Sequence, residues 1–103
     1  MEIKKRIKPK NGIGTVSIKV SGQLDSVITT VVGGNPELVI ESSLGYLIFK
    51  RNITDVEYLC PRKQISPVDN DVRSSISYDK FNLNEVIYIS VIGNSEVDVI
   101  LRF

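Results

Sequence analysis

Asp69-Asn70-Asp71 is the one constellation in this chain that gathers oxygen ligands at short spacing, as a site for a hard cation such as calcium would. The run lacks the extended loop and the later bidentate glutamate of a recognised calcium site. Turn chemistry accounts for the same residues, because Asp and Asn side chains hydrogen-bond to their own backbone, so no metal is expected. Histidine is absent and Cys60 is the single cysteine. This removes the commonest acid/base group at neutral pH, thiolate zinc clusters, and any Ser-His or Cys-His nucleophile pair within the chain. Asn11-Gly12-Ile13-Gly14 and Gly33-Gly34-Asn35 lack the spacing and the following helix of a phosphate-cradling loop. A carboxylate pair is all that remains for catalysis. The expectation is a protein that is not an enzyme and carries no cofactor.

Recognition is the other chemistry on offer. Lys4, Lys5, Arg6, Lys8 and Lys10 stand against Glu2 alone in the first ten residues, a net of +4, so the other 93 residues sum to −3. Lysines on an edge strand guard it against unwanted pairing, and the same cluster could contact phosphate or an acidic partner surface. Arg62 and Lys63 lie in the stretch from Pro61 to Asp71, the longest without clear periodicity, and loops of that kind are often functional. There is no tryptophan, and the four tyrosines, Tyr46, Tyr58, Tyr78 and Tyr88, all fall in strand-like runs. Tyr46 and Tyr88 are out of phase with the inward sets Leu47/Phe49 and Ile87/Ile89/Val91, which makes them the candidates for an exposed aromatic contact.

The elements that must carry these side chains are strands. The 103 residues include 14 Ile and 13 Val but no Ala, so β-branched residues dominate while the best helix former is missing. The length suits one domain spanning 1–103, with 1–10 as a basic N-terminal edge strand or arm. Pro9-Lys10-Asn11-Gly12 reads as a turn, followed by a strand from Ile13 with Val16, Ile18 and Val20 inward; Ser21-Gly22-Gln23 turns the chain again. Leu24 to Val32 is apolar on both faces, and a strand near Leu38-Val39-Ile40 pairs with Tyr46 to Lys50 as a hairpin. Residues 53–60 place Val56, Tyr58 and Cys60 on one face if extended, with Cys60 expected in the core; as a helical turn they offer a capping box, Thr54 to Glu57. Val72 to Tyr78 reads as a strand and Asp79 to Asn84 as a connection. In the last eighteen residues, apolar runs flank Gly93-Asn94-Ser95, and Val97, Val99, Leu101 and Phe103 alternate with polar neighbours, the period of a hairpin with one face in a core. A chain ending on such a strand uses its C-terminus as structure. Eight to nine strands with regularly spaced turns predict an all-β, single-domain antiparallel β-sandwich, immunoglobulin-like or jelly-roll, with a small β-barrel as the alternative.

Apolar residues are left over once each strand has one inward face. Val86, Tyr88 and Ile92 oppose the inward set of their strand, and Val32, Val39, Ile48 and Ile100 also sit on outer phases, which predicts burial between subunits. In size, in richness in Ile, Val, Ser and Asn, in lacking disulfides and in its terminal strand, the chain resembles the small all-β accessory proteins of phage particles, the decoration, neck, tail or fibre subunits. That resemblance implies a structural or adhesion role in a virion, with protein partners and with the basic first strand docking on a neighbour. A carbohydrate-binding module using Tyr46 or Tyr88 with the 61–71 loop is the alternative, and a small nucleic-acid-binding barrel using Lys4 to Lys10 comes third. The near-neutral overall charge argues against nucleic acid, and no apolar run approaches the ~20 residues of a membrane span. Without a signal-peptide pattern or paired cysteines, synthesis in a reducing cytoplasm is expected.

Overall fold

The computed structural model describes residues 1–65 and 77–103. Ten strands occur among them: β1 Glu2–Ile7, β2 Ile13–Leu24, β3 Ser26–Val31, β4 Glu37–Ser42, β5 Leu47–Asn52, β6 Val56–Leu59, β7 Lys63–Ile65, β8 Ser77–Asp79, β9 Phe81–Ile92 and β10 Val97–Arg102. All pairing is antiparallel. One four-stranded sheet, here the first sheet, has the order β1-β10-β3-β6; the second has the order β2-β9-β4-β5; β7 and β8 form a separate two-stranded ribbon. The all-β, antiparallel, single-domain expectation holds. The tenth strand arises because Lys63–Ile65, read as part of a loop, is extended and pairs with β8.

Inward positions of both four-stranded sheets meet in one hydrophobic cluster. Val27 and Val31 of β3 and Val97, Val99 and Leu101 of β10 come from the first sheet, and Leu38, Ile40, Ile87, Ile89 and Val91 come from the second. Each such side chain, fully buried, contributes roughly 1.5–3 kcal/mol relative to exposure. In β2 the period-2 reading holds, with Val20 buried, Val16 and Ile18 packed against the core, and Thr15, Ser17, Lys19 and Ser21 exposed.

Four local readings are corrected. The last eighteen residues do not form a hairpin, because β9 pairs with β2 and β4 while β10 pairs with β1 and β3. The Gly93-Asn94-Ser95 turn carries the chain from one sheet to the other, and alternating apolarity is the same for a sheet-to-sheet arch as for a hairpin. β2 runs unbroken through Ser21-Gly22-Gln23, with Gly22 taking φ 124° inside the strand, so the chain turns at Asp25 instead. β9 begins at Phe81, so residues 81–84 pair with β2 and do not form a connection. Cys60 is exposed, as are Val56 and Tyr58, because Leu59 takes the inward phase of β6.

The expected hairpin of β4 with β5 is present, but a bulge between Ile40 and Glu41 leaves Ile48 as an extra residue. Two residues facing one shift the alternation, which buries Ile48 and exposes Leu47, while Phe49 still packs against the core, so only the Leu47 half of the Leu47/Phe49 set is overturned. Thus Ile48 is core, not a leftover outer residue. The other turn signals act as read: Asn11 (φ 57°) and Gly12 (φ 85°) both take positive φ between Lys10 and Ile13, whose backbones bridge, as in a type I′ turn. Within residues 53–60 the strand reading holds as β6, and no helical turn forms there, although Thr54 N–H donates to Glu57 Oε2 at 3.1 Å as one half of a capping box would.

Candidate functional site

Two strands end each side of the paired sheets: β1 and β2 on one flank, β5 and β6 on the other. On the β5/β6 flank the chain crosses between sheets through Ile53-Thr54-Asp55, with Asp55 at φ 49° and the buried Ile53 anchoring the arch. From that arch the two strands run apart and border a groove of about 910 Å³. Arg51 and Glu57, 2.9 Å apart, tie β5 to β6 near the arch. At the far end Arg62, Lys63 and Tyr46 line the opening, and Lys50 and Tyr58 lie along its sides.

The position of Tyr46 follows from local hydrogen bonding. The Ser42 hydroxyl accepts from Leu44 N–H at 2.9 Å and donates to Glu85 Oε2. The Tyr46 hydroxyl donates to Glu85 Oε1 at 2.9 Å, and its ring stacks on Phe81 with centroids 6.2 Å apart and planes 6° from parallel. Glu85 is buried on the inward phase of β9, so these two hydroxyls satisfy a carboxylate that would otherwise be costly to bury. Burial first, and the hydrogen bond to Glu85 second, push the Tyr46 phenol above its ordinary pKa. Arg62 is held by its neighbour and by the β2–β3 connection: Nη1 donates to the carbonyls of Pro61 at 2.8 Å and Asp25 at 3.0 Å. Tyr58 projects from the outward phase of β6 and is 74 % exposed.

The candidate residues divide among three places. Tyr46, Arg62 and Lys63 converge on the groove. Lys4, Lys5 and Arg6 lie on the edge strand β1, and Lys8 and Lys10 lie beyond its end; all five are exposed. Arg6 Nε lies 2.7 Å from Asp98 Oδ1 and 3.1 Å from Glu96 Oε1, and the guanidinium holds the Asp98 carboxyl below its ordinary pKa. Tyr88 and Ile92 project from the outward phase of β9. There Ile13 faces Ile92 across the strands, and Tyr88 pairs with Glu41, which pairs with Leu47. Ile13, Leu47, Tyr88 and Ile92 are between 43 % and 54 % exposed, so the second sheet carries large apolar groups on its outer face. Val86 is half-buried there and Val39 is covered.

Sequence reasoning missed Tyr58 and Phe81 at the groove, the buried Glu85 that accepts from Tyr46, and Ile13 and Leu47 on the outer face. A signal existed for Ile13, which shares the odd-numbered phase of Thr15 and Ser17; none existed for Leu47, which the bulge displaces. Asp69, Asn70, Asp71 and the Val72–Ile76 part of the expected strand lie outside the described residues. Among the described residues, no group of three or more His, Cys, Asp or Glu could hold a metal ion, and no helix is long and apolar enough to cross a membrane. No protein-family model, curated protein or solved structure matches the chain.

Proposed function

We propose that this chain is a non-enzymatic structural or adhesion subunit of a larger assembly, a homo-oligomer or a particle such as a virion, built as a jelly-roll β-sandwich. The fold part of this reading is supported by the pairing of β1 with β10, β2 with β9, β3 with β6 and β4 with β5. A long hairpin wound so that successive pairs alternate between two sheets gives that pattern, with β7–β8 as an insertion; an immunoglobulin-like order or a closed barrel would pair the strands differently. Jelly rolls occur in capsid and lectin domains, which agrees in style with the accessory-protein resemblance.

The observation that carries the assembly role is the outer face of the second sheet. Exposed Ile13, Leu47, Tyr88 and Ile92 on one sheet face are more than isolated surface hydrophobics, and burial against a second copy removes them from water. Light scattering coupled to size-exclusion chromatography is expected to show an oligomer that Ile92→Lys dissociates without loss of the β-rich circular dichroism spectrum. A protein that stays monomeric up to high concentration overturns the reading.

A carbohydrate-binding module is the second reading, supported by the convergence of Tyr46 with Arg62 and Lys63 on one groove. A blank glycan array removes it. Nucleic-acid binding through β1 has weaker support, because Arg6 is already engaged by Asp98 and Glu96.

A further inference from the structure

We propose that the groove between β5 and β6 receives an extended acidic segment of a partner protein, which adds as a strand along the free edge of β5. Among the described residues β5 and β6 are the last strands of their sheets, so each presents backbone N–H and C=O groups to the groove rather than to another strand. The six residues of β5 offer roughly 20 Å of edge, enough for a short peptide strand.

The charges select the occupant. Lys50, Arg51, Arg62 and Lys63 line the groove, and no Asp or Glu is among the described residues that line it. Arg51 is met by Glu57 near the arch and Lys50 lies 4.0 Å from Glu37, whereas at the open end Arg62 donates only to the uncharged carbonyls of Asp25 and Pro61 and keeps its charge beside that of Lys63. Cations along an edge repel a like-charged strand and give a neutral one nothing for displacing their hydration; a strand bearing carboxylates is the complementary partner. Tyr58, highly exposed beside this edge, supplies an apolar surface for the alternate side chains of that strand. A sugar stacking platform fits less well, because one face of the Tyr46 ring is already taken by Phe81. This inference stands on the groove; of the outer-face residues Ile13, Leu47, Tyr88 and Ile92, Leu47 alone also lines it.

The test uses the full chain and a fluorescently labelled peptide of alternating glutamate and valine, with an alternating lysine and valine peptide and an oligouronate as comparison probes. Saturable binding of the acidic peptide is expected, weakening as salt rises, with slowed amide exchange in β5. The double variant Lys50→Glu, Lys63→Glu, both exposed, should weaken binding by at least about tenfold while thermal unfolding is little changed. Tyr58→Ser should weaken it less. Ile92→Lys, on the other surface, should leave peptide affinity unchanged even where it dissociates an oligomer, so failure of the groove and failure of the assembly reading are told apart. The proposal is overturned by absence of binding at millimolar peptide, by binding indifferent to the charge reversal, by protection elsewhere than β5, or by tighter binding of the oligouronate.

Discussion

Where β1 and β2 end the two sheets, the seam is apolar and tight; where β5 and β6 end them, it is polar and open. At the first flank the buried Ile7 closes against Gly14, and a Cβ on that glycine would lie 2.9 Å from Ile7 Cγ2 and 3.1 Å from Pro9 Cα. Lys5 takes an inward-phase position between Ile3 and Ile7 on this edge, a charge that discourages a further strand from pairing there. At the second flank Arg51 of β5 is paired with Glu57 of β6, while Tyr46, just before β5, donates to Glu85 on the inner strand β9. Polar groups placed at a sheet margin with their partners in position cost stability relative to apolar packing. The second flank is the more open of the two, and the groove lies there.

The contrast is broken most strongly at its apolar side. Ile7→Ala should cost about 2–4 kcal/mol in urea unfolding, since it empties a buried site, whereas Leu47→Ala on β5 should stay within about 0.5 kcal/mol. Equal losses would mean that the flanks do not differ in packing. Next in size, Glu85→Ala leaves the hydroxyls of Ser42 and Tyr46 without their acceptor and should cost about 1–3 kcal/mol. Tyr46→Phe should cost less, and it adds a pH signature. A raised phenol pKa contributes stability that is fully present below the ordinary tyrosine value and is lost as pH rises through the raised one. Alkaline unfolding of the wild type should therefore steepen relative to Tyr46→Phe, and superimposable profiles would discount the Tyr46–Glu85 bond.

How far the sequence reveals this depends on whether the deciding interaction is local. Alternation in β2, β9 and β10 names their core residues, because the period of a strand is written in consecutive side chains. The type I′ turn at Asn11-Gly12 is equally legible. Which sheet β9 and β10 join is not, since alternation reports a face and not a partner. The bulge at Ile48 shifts the phase of β5 before Phe49 through one unpaired residue, so that a core isoleucine reads as an outer one and Leu47 as an inner one. The groove was half visible: Tyr46, Arg62 and Lys63 stood out by phase or by lack of periodicity. Their meeting, and the buried Glu85 that orients Tyr46, depends on contacts between residues 39 positions apart.

A smaller effect sharpens the polar inner row of the first sheet. Thr29 is buried on β3, between Val99 of β10 and Glu57 of β6 in register, and among the described residues its Oγ1 has no hydrogen-bond partner. Thr29→Val keeps the shape and removes the unpaired hydroxyl, so it should raise stability by about 1 kcal/mol by the same urea measurement. A loss of stability would show that the hydroxyl is paired after all.

The smallest expected effect tests whether the charges on the closed flank hold it together. Arg6 donates to Asp98 from β1 to β10, and both side chains are well exposed, so solvent screens the pair and its contribution is minor. Its sign is nevertheless determined. The Asp98 pKa is lowered, first by the hydrogen bond from Arg6, so the pair's contribution is present above the ordinary carboxylate pKa and is lost as pH falls through the lowered one. Arg6→Ala should therefore melt slightly below the wild type at neutral pH, and the two melting temperatures should converge under acid. A gap that persists below the carboxylate range would assign the effect of Arg6 to its aliphatic stem packing on the sheet. A gap that also survives high salt at neutral pH would point the same way, and the closed flank would then owe its stability to Ile7 and the seam at Gly14 rather than to its ion pairs.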